Sequence, residues 1–316
     1  MQGVFLDEAS LGRGDLDYGP LEAVVAQWRF HDATDPSEVA GRIADAEVVI
    51  TNKVALDASN LAGAGRLRLI CIAATGTDHV DLAAAARRGI AVCNVPGYAT
   101  PSVVEHVFLL ILALMRNLPA YQRTVAAGRW QASRQFCLLD HPIAELSGKV
   151  LGIVGFGTLG RAVARVGEAF GMRVLVAARP GAAVPPGRLS LEDLLPRVDV
   201  LSLHCPLADN TRGLIGAREL ARMKPGAVLV NTARGGVVDE QALAAALRSG
   251  HLGGAGVDTL SREPPPPDHP LLAGDVPRLI VTPHIAWASR EARQRLVVEM
   301  AENIRAFRAG RSRNRV

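Results

Sequence analysis

Two rhythms of apolar and polar positions run through the chain. Short apolar runs, "GVFLD" (3–7), "AEVVITN" (46–52), "LRLICIAA" (67–74) and "IAVCN" (90–94), predict strands, nearly continuous as in a parallel sheet covered on both faces. The intervals carry helical spacing; residues 81–88 predict one such helix, stopped by Gly89 at the C′ position. The stretch "TPSVVEHVFLLILALMRNL" (100–118) predicts a long, mostly buried helix from about 102 to 117, opened by a capping box of Ser102 and Glu105. Further strands are predicted at 150–154, 198–204 ("VDVLSLH"), 227–231 ("AVLVN"), 254–258 ("GAGVD") and 278–284 ("RLIVTPH"), with a last helix capped by Ser289 and running to about Phe307. The run Pro264–Pro267 must lie in a loop, because proline cannot donate to a sheet ladder. Regular alternation of strands and helices predicts an α/β fold on largely parallel sheets.

Composition narrows this picture without redirecting it. A chain of 316 residues has the length of two domains, and 49% hydrophobic with 21% charged residues excludes a disordered class. Only 4% are aromatic, so aliphatic side chains must build the cores. Cys71, Cys93, Cys137 and Cys205 show no C-x-x-C pairing, so neither a metal site nor a disulfide framework is expected, and a reducing cytoplasm fits. The opening "MQGVFLDEAS" lacks the basic and apolar regions of a signal peptide, and the apolar run Val107–Met115 is too short to span a bilayer. Much of the net charge of +4 falls in "RAFRAGRSRNR" (305–315), which no aromatic residue interleaves after Phe307; it reads as a frayed, solvated end rather than a nucleic-acid surface.

The strongest chemical signal is Gly155, Gly157 and Gly160, a G-x-G-x-x-G directly between a predicted strand and a predicted helix. The first glycine permits the tight turn, the second lets the backbone approach a pyrophosphate, and the third lets helix and strand pack closely. The helix N-terminus then offers N–H groups to the phosphates. An acid normally follows about 20 residues later, at the end of the second strand, to hold the ribose 2′-hydroxyl of NAD. This chain has Ala177, Ala178 and Arg179 there. An arginine suits a 2′-phosphate, so NADP(H) is favoured and NAD(H) remains possible.

Ligands of open α/β sheets bind beyond the carboxyl ends of the strands. His204, Arg234, Asp258 and His284 fall at such ends, and Glu263 lies five residues past Asp258. Histidine, carboxylate and arginine beside a nicotinamide suit reduction of a 2-oxo acid. The histidine gives a proton to the oxygen, the carboxylate favours its imidazolium form, and the arginine grips the substrate carboxylate with two prongs. Spacing alone leaves open whether His204 or His284 is the acid. Trp287, Phe136 and Trp130 are candidates for sizing the pocket.

The strings "GFGTLG", "NTARGGVVDE" (231–240), "GVDTLSREP" (256–264) and "TPHIAWAS" (282–289), with "AATGTDHVD" (73–81) and "NVPGYATPSVVEHV" (94–107), resemble the D-isomer-specific 2-hydroxyacid dehydrogenases. The likeness covers nearly the whole chain and is nearest to the glycerate dehydrogenase branch, which reduces hydroxypyruvate and glyoxylate. It implies that Arg234, Glu263 and His284 are catalytic, with His284 the acid. It also implies that the backbone at Thr75 and Gly76 receives the substrate carboxylate, and that Arg234 and His284 bind the substrate as well. Cofactor contacts would come from Gly155, Gly157, Thr158, Leu159, Gly160, Ala178, Arg179, His204, Thr232, Ala233, Asp258 and Ala286, with Asp258 near the nicotinamide carboxamide. Two doubly wound parallel-sheet domains are implied, a Rossmann cofactor domain (98–285) inserted in a flavodoxin-like substrate domain (1–97 and 286–316). So is a homodimer with the long helix region at its interface. Many members carry Asp where this chain has Ala178, so the family's NAD assignment does not carry over. The same fold also serves dinucleotide-sensing regulators and dehydrogenases of other small anions, such as formate or phosphonate; the intact Arg234, Glu263 and His284 favour the 2-hydroxyacid enzyme.

Overall fold

The predicted strands assemble into two wholly parallel sheets in the computed structural model, which describes residues 1–316. The chain divides into two units, Met1–Ala99 with Trp287–Val316, and Thr100–Ala286. In the first unit, β1 (Gln2–Phe5), β2 (Gln27–Phe30), β3 (Val48–Thr51), β4 (Leu69–Ile72) and β5 (Ala91–Cys93) stand in the order β2-β1-β3-β4-β5. Every residue of β3 and β4 is buried, as their unbroken apolar runs require. The sequence reading lacks β2. Its residues Gln27, Trp28, Arg29 and Phe30 alternate polar with aromatic, and as an edge strand it is covered less than its neighbours. A search for apolar runs passes over such a strand.

The last helix, Arg290–Arg308, packs on β4, and the Ser289 side chain caps it by accepting from the Ala292 N–H at 3.2 Å. The basic residues that follow are not frayed. Asn94 N–H donates to Asn314 O (3.1 Å), Val316 N–H to Val92 O (3.1 Å), and Arg313 pairs with Glu299 (2.6 Å). Cys93 and Arg315 form an antiparallel bridge, so the segment lies along β5 and covers an otherwise open sheet edge. The backbone of β5 holds it, which its charge pattern could not disclose.

In the second unit, β6 (Val150–Val154), β7 (Arg173–Val176), β8 (Val200–Leu203), β9 (Val228–Asn231), β10 (Gly254–Val257) and β11 (Leu279–Val281) stand in the order β11-β10-β9-β8-β6-β7. Both sheets grow in two directions from their first strand, which makes them doubly wound; the crevice at the reversal, between β6 and β8 in this unit, is where such sheets place a ligand. Fully buried Leu201, Leu203, Leu229 and Leu243 sit in the core, each worth roughly 1.5–3 kcal/mol of burial. The helix Thr100–Met115 packs against β9, β10 and the helix Thr158–Ala169. It starts two residues before the predicted capping box, with Pro101 in the first turn, where proline's missing N–H has no cost. Ser102 therefore lies inside the helix, and its buried hydroxyl donates to Ala286 O at 2.7 Å. Among the described residues, no single helix is long and apolar enough to cross a membrane.

Candidate active site

The crevice between β6 and β8 is lined by the glycine loop. Gly155 has φ +90°, and a Cβ on Gly160 would stand 2.1 Å from Gly155 O, so backbone meets backbone and neither glycine has room for a side chain. Gly157 is the N-cap of the helix Thr158–Ala169 and has open space around it, so Thr158 and Leu159 begin the helix with no side chain over its first N–H groups. A tight cradle with an open mouth on a 12-residue helix fits a dinucleotide pyrophosphate. On the next strand ends, His204 Nδ1 and Thr232 Oγ1 are buried without a protein partner, and such atoms suit the polar groups of a bound dinucleotide. Ala233, beside Thr232, is also buried.

At the far side of this loop, the chain leaves β7 and folds back on itself. Ala178 N–H donates to Leu189 O (2.7 Å) and Leu189 N–H to Val176 O (3.0 Å). Ala178 is small and buried, and Arg179 is exposed. The same fold-back brings Arg188 to the strand end. The sequence reading missed it because it lies ten residues beyond the expected acid, across a proline-rich loop.

Three loops converge at the ends of β9, β10 and β11. After β9, Asn231 ties the turn that presents Arg234: its Oδ1 accepts from Ala233 N–H (3.1 Å) and its Nδ2 donates to Arg234 O (3.0 Å). A Cβ on Gly235 would stand 2.0 Å from Leu260 O, so this turn lies directly on the loop after β10. That loop carries Glu263, whose Oε1 accepts from Leu260 N–H at 2.8 Å and whose Oε2 meets His284 Nδ1 at 2.6 Å. His284 belongs to the loop after β11 and has φ +54°, a left-handed conformation that costs a side-chain-bearing residue about 1–2 kcal/mol. Arg234, Glu263 and His284 are thus brought to one edge of the sheet by contacts between their own loops. His204 lies apart from them, against Gly155.

The strained loop is held by Asp258, which is 1% exposed. Its Oδ1 accepts from Thr282 Oγ1 (2.6 Å) and Ile285 N–H (2.9 Å), and its Oδ2 from Ala286 N–H (2.9 Å). His284 N–H donates to Asp258 O at 2.9 Å. The resemblance assigns Asp258 and Ala286 to the cofactor; in the structure their polar groups hold the loop that carries His284. Two residues of the long helix complete the frame, Ser102 on Ala286 and His106, whose Nε2 lies 2.9 Å from Thr282 Oγ1. The sequence reading missed His106. A lone histidine among "SVVEHVFLL" is the only available signal, and in a buried helix it requires a partner.

Burial pushes the His204 imidazole down to about 4, and its Nε2 shares a 2.8 Å hydrogen bond with Ser202 Oγ. In the unfolded chain the ring titrates near 6.5. Below that pH the unfolded chain holds the extra proton, so acidification lowers stability, by up to roughly 1.4 kcal/mol per unit. The contribution is complete above about 6.5 and is lost progressively as the pH falls to about 4. His204→Gln should therefore lose less melting temperature than wild type between about pH 7 and pH 4.5. His79, pushed down to about 4 by its own burial, acts alike in both proteins and cancels. Equal losses in the two proteins would show that His204 does not titrate on unfolding.

In the first unit, Thr75 lies in the loop after β4, with Gly76 following. Thr75 Oγ1 donates to Val95 O (2.8 Å), and Asn94 Nδ2 donates to Thr75 O (2.7 Å), which fixes the turn. Trp287 packs edge-on against Tyr98 at 6.3 Å. Phe136 is 89% exposed and Trp130 50%, so neither sits in a core.

A family model described as "D-isomer specific 2-hydroxyacid dehydrogenase, NAD binding domain" matches residues 108–286. The glycerate dehydrogenase of Methylorubrum extorquens is 44% identical over 306 residues, 95% of this chain and 96% of that one. The hydroxypyruvate reductase of Blautia hydrogenotrophica is 37% identical over 317 residues, 98% of each. Among solved structures, an acyclic imino acid reductase in complex with NADPH and D-Arg superposes with a TM-score of 0.87 at 26% identity, over 100% of both chains.

Proposed function

We propose, from the premise that this chain belongs to the D-isomer-specific 2-hydroxyacid dehydrogenase family, that it reduces a small 2-oxo acid such as glyoxylate or hydroxypyruvate to the D-2-hydroxy acid, preferring NADPH. The observation that carries this reading is the 2.6 Å contact of Glu263 with His284 Nδ1, on a loop fixed by a buried carboxylate at the sheet edge that also presents Arg234. NADPH, when bound along the glycine loop, supplies the hydride. As negative charge grows on the carbonyl oxygen, His284 delivers a proton from Nε2, the ring nitrogen that Glu263 does not hold. Glu263, 2.6 Å from Nδ1, fixes the ring's orientation. Arg234 takes the substrate carboxylate by a planar two-pronged contact.

The cofactor preference rests on Ala178 and Arg179: no acid stands at the strand end to hold a 2′-hydroxyl and repel a 2′-phosphate. A homodimer is part of the same reading. Leu109, Leu118, Val125, Phe136, Leu139 and Ile143, on and after the long helix, are exposed apolar residues that a second copy would cover. Light scattering should give twice the chain mass, and a monomer at working concentration would remove that element.

The decisive assay follows oxidation of NADPH and of NADH with a panel of 2-oxo acids. Turnover of glyoxylate or hydroxypyruvate with a higher kcat/KM for NADPH is expected. Absence of turnover with every 2-oxo acid would overturn the enzymatic reading in favour of a dinucleotide sensor.

A further inference from the structure

We infer that Arg188, together with Arg179, forms the site for the 2′-phosphate of the cofactor, and that Arg188 is the main determinant of NADPH over NADH; this rests on the proposed NADPH preference. The parallel bridge between Ala177 and Leu189 sets Arg188 beside the end of β7. Its Nη1 donates to Ala177 O at 3.3 Å, and its guanidinium carbon lies 4.9 Å from the centre of the Phe156 ring. Phe156 stands between Gly155 and Gly157, so one guanidinium joins the glycine loop to the end of the second strand. Those two features flank the adenosine ribose in a strand–turn–helix–strand dinucleotide unit.

The charge balance points the same way. From Ala177 to Leu191 the chain carries no acid. Glu192, the first, is paired with Arg218 and Arg222. Among the described residues, no carboxylate forms an ion pair with Arg179 or Arg188. A phosphomonoester with close to two negative charges supplies what is missing. A guanidinium has five N–H donors, and the bond to Ala177 O uses Nη1, so the remaining fork can grip phosphate oxygens. Stacking on Phe156 and the carbonyl bond hold Arg188 in place before any ligand arrives, which lowers the entropy lost on binding. Arg179 is exposed and has no such support, so its share is the smaller.

The test is a titration of adenosine 2′,5′-bisphosphate and of 5′-AMP into wild type, Arg179→Ala, Arg188→Ala and Phe156→Leu by calorimetry. Wild type should bind the bisphosphate more tightly. Arg188→Ala should weaken it by about 10- to 100-fold and leave 5′-AMP within roughly twofold, with smaller selective losses in Arg179→Ala and Phe156→Leu. Equal weakening of both ligands in Arg188→Ala would show that the residue only supports the loop and would overturn the inference. A wild type selective for the bisphosphate whose selectivity survives Arg188→Ala would overturn it too, while the NADPH preference stands. If wild type does not distinguish the two ligands, the preference and the inference fall together.

Discussion

Replacing His284 with glutamine is expected to lower kcat by about 10²- to 10⁴-fold, the usual contribution of a positioned general acid, with little change in the affinity for NADPH. The reason lies in how the ring is held. Glu263 takes Nδ1 at 2.6 Å, and the Asp258 carboxylate holds the Thr282 hydroxyl before, and the Ile285 and Ala286 N–H groups after, a left-handed residue. A glutamine amide at this position can still meet Glu263, but it has no proton to release near neutral pH. The loop bonds to Asp258 come from the backbone and Thr282, so the variant keeps them and should fold. Single-turnover reduction and fluorescence titration of NADPH, run side by side, separate the two effects. A variant with wild-type kcat would remove His284 from the proton transfer.

Arg234→Ala should lower kcat/KM by roughly 10- to 100-fold, chiefly through KM, because a charged hydrogen-bonding partner of the substrate is lost. Arg234→Lys should recover only a part of that loss. Lysine offers a point charge in place of a planar fork, and the turn cannot shift to compensate, since Asn231 ties it and Gly235 lies against Leu260. Steady-state kinetics over a range of 2-oxo acid concentrations reads both variants. An unchanged KM in Arg234→Ala would show that the carboxylate is held elsewhere.

The buried strands were plain in the sequence because burial on both faces leaves an unbroken apolar run, and β3, β4 and β6 are buried at every position. The edge strand β2 was hidden for the converse reason. The glycine loop was legible as well, since its requirement is steric and local. The rest of the site depends on contacts across long stretches of chain, which periodicity does not encode. Spacing could not choose between His204 and His284; resemblance did, and the structure then pairs His284 with Glu263 and buries one ring nitrogen of His204. Arg188 and His106 were invisible because each matters only through what the fold sets beside it. The basic tail misled because its charge is conspicuous while the backbone bonds that hold it leave no mark in composition.

The frame around His284 has a further consequence. Ser102 and Ala286 are 184 residues apart in the chain, and His106 and Thr282 are 176 apart. The glycine loop, by contrast, spans six residues from Gly155 to Gly160. Contacts between distant segments pay their loop-closure entropy before any reward and form late. A refolding chain can therefore rebuild its glycine loop from neighbours alone, whereas His284 takes up its left-handed geometry only when the first and last segments of the second unit have met. Recovered turnover is then a report that the whole unit has closed, and a fragment ending before β11 would keep the cradle's sequence while lacking the loop that carries His284.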